Sequence, residues 1–261
     1  MANWHQDPFF QYPLTPFETR EGTINLPILY YDNSNFLALY EVDLDKAQTV
    51  LNAPALDVVT FSGNKALVAI AIYEYRDTEV GVYNEVGVAI ATVPAGTPQP
   101  RHPWLAMYQP LDARKLGLTV VDLPVTTAAA CAAGKEVWGF PKFVTDISFS
   151  LSETDFSSTV KDPKGKDTIL TMSGKPGFGI PGPQLDPLLY SRHNGDLIRT
   201  LVVTRGGGRV CRPGSIRATV GSSSHAMAQR LRELGVHGKK PKLVFYSHKL
   251  QLRLNAGAKV A

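Results

Sequence analysis

Short segments in which apolar and polar residues alternate, rich in β-branched and aromatic side chains, make up most of this chain. A period of two residues is typical of β-strands with one buried face, whereas a helix repeats its apolar residues every three or four positions. The pattern predicts strands over residues 24–31, 36–42, 56–62, 66–75, 80–93, 104–111, 143–152, 157–160, 168–173, 187–193, 196–204 and 242–254. Asn194-Gly195, between two of these segments, is a strong signal for a hairpin turn.

Helical patterns are few, and each follows a residue that can cap a helix. The predicted helices begin after Asp43 and end near Leu51, begin after Thr126 or Thr127 and end near Val137, and begin after Ser223 or Ser224 and end at Gly235. Strands and helices do not alternate, so a doubly wound parallel fold is not expected. The sequence predicts a mainly β (α+β) fold with a few helices, in a single domain over residues 1–261.

The charge of the chain is unevenly distributed. From Ser191 onward there are 14 lysines and arginines against two acidic residues, whereas the first 190 residues carry 13 basic and 21 acidic residues. A basic part could bind nucleic acid, attract an anionic substrate, or be neutralised within the fold or between subunits. Because few aromatic residues accompany the basic ones, we expect no nucleic-acid binding. We expect a homo-oligomer in which basic residues, Arg199 and Arg217 among them, face acidic groups of the same or a neighbouring chain, while others could line the pocket entrance.

Other features of the sequence argue against a membrane protein and against a bound metal. The longest apolar run, residues 66–73, is far shorter than the roughly 20 residues that cross a bilayer. No signal peptide is recognisable, and the two cysteines, Cys131 and Cys211, form no disulfide framework. The six histidines show no metal-ligand spacing. We therefore expect a cytoplasmic protein without a metal site.

Two glycine-rich stretches resemble nucleotide-binding loops only superficially. Residues 177–182, Gly-Phe-Gly-Ile-Pro-Gly, match the spacing of a dinucleotide-binding loop, but Pro181 interrupts them and no helix follows. Residues 206–208 are three glycines without the Lys-Ser or Lys-Thr ending of a phosphate-binding loop. Both are interpreted as turns, and no cofactor is expected.

Lys142 lies among aromatic residues, with Trp138 and Phe140 before it and Phe143 after it. An apolar neighbourhood disfavours the charged form of a lysine, and the neutral amine is a nucleophile. The alternative is a lysine at the start of a strand whose ammonium reaches water along its flexible stem. The residues alone favour this second interpretation.

Three segments resemble the acetoacetate decarboxylase family. Residues 134–142, Gly-Lys-Glu-Val-Trp-Gly-Phe-Pro-Lys, are similar to the family's Schiff-base segment, which reads Gly-Arg-Glu-Leu, two residues, then Tyr-Pro-Lys. Residues 83–90, Tyr-Asn-Glu-Val-Gly-Val-Ala-Ile, resemble the family's Tyr-Thr-Glu-Ser-Gly-Gln-Ala-Ile. Residues 40–45, Tyr-Glu-Val-Asp-Leu-Asp, resemble Tyr-Arg-Thr-Asp-Met-Asp. The resemblance extends from about residue 24 to residue 254.

The resemblance implies a fold and a set of site residues. The fold would be an antiparallel sheet that closes into a cone-like β-barrel, with a few peripheral helices and an oligomeric assembly. Lys142 would form the imine with a keto substrate, and Glu85 would be a second catalytic residue. Glu41 would lie where the family has an arginine that binds the substrate carboxylate. No cofactor is implied, because the imine itself accepts electrons.

The chain departs from the family pattern at three places. Phe143 replaces the second lysine that follows the catalytic lysine, Glu41 replaces the arginine, and a further glutamate of the family falls within the apolar residues 68–72. We therefore expect a Schiff-base-forming lyase that acts by decarboxylation or by aldol-type chemistry, with acetoacetate a poor substrate. The alternative is a non-catalytic binding protein whose pocket holds an apolar carbonyl ligand.

Overall fold

The computed structural model describes residues 6–182 and 185–260. The strands are β1 (Thr15–Thr19), β2 (Gly22–Leu26), β3 (Ile28–Asp43), β4 (Leu56–Val58), β5 (Thr60–Ser62), β6 (Lys65–Thr78), β7 (Tyr83–Pro94), β8 (Gly117–Val125), β9 (Lys142–Val144), β10 (Ile147–Leu151), β11 (Phe156–Lys161), β12 (Thr168–Gly174), β13 (Gly179–Gly182), β14 (Leu188–His193), β15 (Asp196–Arg205), β16 (Gly208–Cys211), β17 (Arg217–Val220), β18 (Leu243–Leu254) and β19 (Ala258–Lys259). The helices are α1 (Leu44–Leu51), α2 (Pro103–Ala106), α3 (Ala128–Trp138) and α4 (Ala226–Glu233). Within the described ranges, no helix is both long and apolar enough to cross a membrane.

Thirteen of the described strands form one sheet, whose main path runs β13-β16-β18-β3-β6-β7-β8-β14-β15-β19. The pairings are antiparallel, except that β8 pairs in parallel with β9 and with β14. Strand β15 pairs with both β14 and β18, so the path of paired strands that leaves β18 through β3 returns to β18. A second sheet contains β10, β11, β12 and β17, and β1 pairs with β2. The predicted mainly β, largely antiparallel fold is confirmed.

The two faces of the long strands β6 and β7 differ in the size of their side chains. One face is fully buried and carries large residues, such as Ile70 and Ile72, which pack with Phe36 of β3 against the four-stranded sheet, α1 and α4. The Phe36 ring stacks on Phe156 with ring centroids 3.7 Å apart. Burying each such side chain stabilises the fold by roughly 1.5–3 kcal/mol. This face packs the strands against the core, so their opposite face can line a cavity.

Side-chain capping is present at the start of two of the predicted helices, α3 and α4. Helix α3 begins after Thr127, whose hydroxyl accepts a hydrogen bond from the Ala130 N–H at 3.4 Å, whereas α1 begins after Asp43 as predicted but without a side-chain capping hydrogen bond. Helix α4 is capped by His225 instead of Ser223 or Ser224, and Ser223 accepts the His225 N–H at 2.9 Å. The left-handed Gly235, at φ +68°, follows the end of α4 as predicted.

Two sequence predictions fail around the middle of the chain. The predicted strand over residues 104–111 is wrong, because residues 103–106 form α2 with Pro103 at its first position, where proline favours a helix. Strand β8 was not predicted, because Asp122 and Pro124 interrupt its alternation. Helix α3 is also not peripheral, since Ala133 and Trp138 form part of the wall of the cavity described next.

Candidate active site

A cavity of about 160 Å³ lies against β3, β8 and the small-residue face of β6 and β7. Its floor contains Ala69, Ala71, Gly87 and Ala89, and its walls are mainly aromatic and aliphatic. An apolar cavity with a few polar groups is the usual form of a small-molecule site. Lys142, Glu85 and Arg209 are the charged residues among the described residues that line it.

The chain reaches Lys142 through a tight turn after α3. Gly139 ends the helix in the left-handed conformation, at φ +68°, and a side chain there would overlap the carbonyl oxygen of Arg192. Lys142 then begins β9 opposite Leu123 of β8. Gly134, one turn back in α3, lies against the lysine stem, and a methyl group on it would overlap the Cδ and Cε atoms of Lys142. Because Gly134 has no side chain, the Lys142 stem can lie directly against the helix.

Lys142 and Glu85 meet inside the cavity wall. The Lys142 Nζ donates to Glu85 Oε2 at 2.5 Å, and the two side chains are only 7% and 10% exposed. Glu85 faces the cavity from β7, opposite Tyr73 of β6, which in turn lies opposite Asn35 of β3. A charge-assisted hydrogen bond with so little access to water is a strong contact. It gives the amine a proton acceptor that is already in position.

Tyrosines surround this pair. The Tyr75 hydroxyl donates to Glu85 Oε1 at 3.3 Å, and the hydroxyls of Tyr30 and Tyr83 are 3.1 Å apart. The Tyr83 ring centroid lies 5.8 Å from the Lys142 Nζ. Burial raises the pKa of Tyr75 and of Tyr83 well above the usual value, and the charge of Glu85 raises both further. These phenols therefore stay protonated and act as hydrogen-bond donors at physiological pH.

The structure does not bring Glu41 to this cavity. Glu41 lies near the end of β3, where its carboxylate accepts hydrogen bonds from Ser62 at 3.2 Å and from Lys242 at 3.3 Å. It is not among the described residues that line the cavity. The expected contact between Glu41 and a substrate is therefore not supported, because an ion pair with Lys242 holds the side chain at the end of β3.

Arg199 and Arg217 have backbone partners within the chain. Arg199 donates to the backbone carbonyls of Leu111 and Arg114, and Arg217 donates to the carbonyl of Ile216. Neither faces an acidic group of its own chain among the ion pairs of the described residues. Contact with acidic groups of a neighbouring chain stays a prediction.

Several site residues were missed by the sequence analysis. Tyr73 and Tyr75 are two positions apart on one strand, a spacing that could have placed both on one face. Tyr83 lies within the segment that resembles the family, but no role was assigned to it. Tyr30 and Arg209 have no local signal, because only the pairing of distant strands brings them to the cavity. In the described part of the chain, no group of three or more His, Cys, Asp or Glu residues is placed to hold a metal ion.

A family model described as acetoacetate decarboxylase matches residues 12–218. The chain belongs to this family. The match covers most of the chain, including all three segments that carry the resemblance, so the predicted family is confirmed. Family membership supports an enzyme of the acetoacetate decarboxylase-like lyase kind. A search of curated protein sequences finds no match.

Solved structures share the fold at low sequence identity. The acetoacetate decarboxylase from Legionella pneumophila is 17% identical, with a TM-score of 0.64 over 100% of this chain and 96% of that chain. Another acetoacetate decarboxylase structure is 18% identical, with a TM-score of 0.63 over 90% of this chain and 89% of that chain. The enduracididine biosynthesis enzyme MppR complexed with pyruvate is 14% identical, with a TM-score of 0.60 over 97% of this chain and 93% of that chain. At these identities the likeness establishes the fold alone.

Proposed function

We propose that the chain is a Schiff-base-forming lyase that acts on a keto compound through Lys142. One observation carries this proposal: the Lys142 amine and the Glu85 carboxylate are 2.5 Å apart in the wall of an apolar cavity. An apolar wall gains no stability from a charged lysine, whereas imine formation needs an amine and a proton acceptor close together. The family resemblance of residues 83–90 and 134–142 supports the same pair as the reacting groups.

Glu85 accepts and returns a proton during imine formation. It takes a proton from the Lys142 ammonium, which frees the nitrogen lone pair to add to the substrate carbonyl carbon. It then returns a proton to the carbinolamine oxygen, which leaves as water, and the product is a protonated imine on Lys142. The Tyr75 hydroxyl, 3.3 Å from Glu85 Oε1, keeps the carboxylate oriented through both transfers.

The protonated imine then accepts an electron pair from a breaking bond. When the substrate is a 3-oxo acid, the bond to the carboxyl carbon breaks, carbon dioxide leaves, and the electrons form an enamine. Proton transfer to the enamine carbon and addition of water release the ketone and restore Lys142. An enamine can also attack a second carbonyl compound, which is the aldol-type course. MppR, which has a similar fold, was solved with the condensation product of pyruvate and imidazole 4-carboxaldehyde, and this keeps condensation within the proposal.

Acetoacetate is proposed to be a poor substrate. Among the described residues that line the cavity, Arg209 is the one cation besides Lys142. Arg209 is on β16, four strands from the β7 strand of Glu85, and it already donates to the Gly179 carbonyl at 2.6 Å. A small 3-oxo acid bound to Lys142 would place its carboxylate near Glu85 without a partner cation.

The proposal extends to the shape of the sheet and to the setting of the protein. The return of the strand path from β15 to β18 supports a cone-like β-barrel around the cavity. We also propose that the chain forms one domain, acts in the cytoplasm on a small keto compound, and needs neither a metal nor another cofactor.

Borohydride trapping tests the proposed function. The protein is incubated with a saturating ketone and reduced, and we expect a mass increase equal to the ketone minus one oxygen atom, mapped to Lys142. The Lys142→Ala variant should show no increase, whereas Lys135→Ala, which removes an exposed lysine from the adjacent helix, should be trapped like the wild type. Trapping at other lysines only, or at none, would contradict the proposal. In the latter case, ligand binding without trapping would favour the non-catalytic alternative.

A further inference from the structure

The floor of the cavity has unusually small side chains for the middle of long strands. On β6, Ala69 and Ala71 face the cavity, while Val68, Ile70 and Ile72 face the core on the other side. Strand β7 repeats this division, with Gly87 and Ala89 toward the cavity. Because strands favour β-branched residues, a row of Ala and Gly on one face only leaves a hollow there.

The hollow extends away from Lys142 along the paired strands. Glu85 is level with Tyr73, Gly87 is level with Ala71 and Leu37, and Ala89 is level with Ala69 and Leu39. Each such step along a strand is about 7 Å. The Lys142–Glu85 pair therefore lies at one end of the floor, and the small residues continue for one to two steps beyond it.

The walls beside the small residues are apolar and remain accessible. Leu37, Leu118, Val120 and Phe245 line the cavity and are only half-buried, although each lies within a strand. Their exposed surface faces the hollow that the alanines leave. Water in such a space finds few hydrogen-bond partners, so an apolar group would displace it favourably.

The size of the cavity limits what this apolar group can be. A cavity of about 150 Å³ with an aliphatic and aromatic lining accommodates benzene, and this cavity measures about 160 Å³. A three-carbon ketone on Lys142 would leave most of that space filled with water. A substituent of about six carbon atoms would fill it.

We infer that the substrate is a keto compound whose carbonyl reacts at Lys142 and whose apolar substituent, of about six carbon atoms, lies over Ala71 and Gly87. This inference rests on the proposed function for the reacting end of the substrate, and on the hollow alone for the other end. Each methylene that enters the hollow tightens binding by roughly fourfold, until the hollow is full.

Calorimetry with 2-alkanols tests the hollow independently of imine formation. An alcohol cannot condense with Lys142, so its binding reports only the apolar site. From 2-butanol to 2-octanol we expect the dissociation constant to fall by roughly fourfold per carbon, and then to level off for longer chains. Undetectable binding of 2-octanol, or a constant independent of chain length, would overturn the inference whatever happens at Lys142.

Borohydride trapping with the matching 2-alkanones tests the reacting end and the apolar end of the substrate together. The ketone concentration that gives half-maximal borohydride trapping should fall from acetone to 2-octanone in the same way. If no ketone is trapped but the alcohols still show the length dependence, the proposed function fails and the apolar site stands. If ketones are trapped equally well at every length, the proposed function stands and the inference fails.

Graded filling of the floor provides the variant test. Ala71→Val and Ala71→Leu add carbon atoms between Leu37 and Gly87, on a strand that tolerates both residues. The half-maximal concentration of 2-octanone should rise about fourfold or more in Ala71→Val and roughly tenfold or more in Ala71→Leu, while that of acetone changes less than about twofold. Ala258→Leu, the same change on the exposed strand β19, should leave the chain-length dependence as in the wild type. Equal losses for acetone and 2-octanone would overturn the inference.

Discussion

At the scale of single residues, the position of Lys142 depends both on the absence of a side chain at Gly134 and on its contact with Glu85. Its stem lies against Gly134, where any side chain would collide with it, and its amine contacts Glu85 at 2.5 Å. Lys142 and Glu85 are 57 residues apart, so no local pattern could join them. The family resemblance named both residues, whereas the phenol of Tyr30 could be assigned only from strand pairing.

Replacing Gly134 with alanine should remove activity without unfolding the protein. Alanine favours a helix over glycine by about 1 kcal/mol, which offsets part of the cost of displacing Lys142, so helix content should be kept. The new methyl group, however, displaces the Lys142 stem, and we expect borohydride trapping to fall by roughly tenfold or more. Gly165→Ala, in a surface loop where a methyl group would be 4.0 Å from the backbone nitrogen of Asp167, is the control. Unchanged trapping in Gly134→Ala would refute the positioning role.

Glu85→Gln keeps the shape of the side chain but cannot accept the lysine proton. We expect the rate of imine formation to fall by about 10²–10⁴-fold. Stopped-flow trapping measures this rate, and the exposed Glu18→Gln variant serves as the control. An unchanged rate in Glu85→Gln would count against Glu85 as the proton acceptor.

At the scale of secondary-structure elements, signals within a few residues were sufficient for some elements and not for others. Asp43 and Thr127 lie directly before α1 and α3, so their helices could be predicted from the sequence. Strand β8 could not, because its alternation is broken by Asp122, whose partner Arg230 is 108 residues away on α4. The strand that supports β9 and Lys142 is thus itself stabilised by a distant ion pair.

Arg230→Met should destabilise the protein in a pH-dependent manner. Burial raises the pKa of Asp122 above its usual value, and the paired guanidinium opposes this rise. A raised folded-state pKa means that stability from this group is present at low pH and is lost as pH rises through that pKa. Without Arg230 the loss at pH 7.5 should be about 2–3 kcal/mol, less than for a fully buried pair because the Arg230 side chain is 32% exposed.

Urea denaturation at two pH values measures this effect. The deficit of Arg230→Met relative to the wild type should shrink at pH 5, where Asp122 can bind a proton in the folded state. The double variant Asp122→Asn/Arg230→Met has no carboxyl group to titrate at this position, so its stability should lack the gain that Arg230→Met shows between pH 7.5 and pH 5. A deficit of Arg230→Met that grows at pH 5 would contradict the assignment.

At the scale of the whole molecule, the acidic first part and the basic last part of the chain are joined by ion pairs. Lys242 contacts Glu41 at 3.3 Å, and Arg205 contacts Asp7 at 2.6 Å. The Arg205 hydrogen bond lowers the pKa of Asp7 from 3.8 to about 2, so this pair persists in weakly acidic solution. The charge asymmetry was visible in the sequence, but its partners were not, because they depend on which strands pair.

We expect the remaining charge and the exposed apolar side chains to favour a homo-oligomer. Phe178 and Ile180, 80% and 58% exposed, lie on or next to β13 at the end of the sheet path. Light scattering at moderate salt should give a mass that is a multiple of 28.4 kDa. The double variant Phe178→Ser/Ile180→Ser should lower that mass if this edge takes part, and a wild-type protein that remains a monomer would contradict the prediction.

The pairing of β18 with β3 also has a kinetic consequence. Residues 243–254 complete the path of strands by pairing with residues 28–39, about 200 positions earlier, and Phe245 and Leu252 close the cavity wall. Contacts between such distant parts of a chain form late and slowly, because a long loop must close first. On the ribosome, Lys142 would therefore be synthesised roughly a hundred residues before β18, the strand that completes the cavity wall around it. The reactive pocket is among the last parts of the molecule to mature.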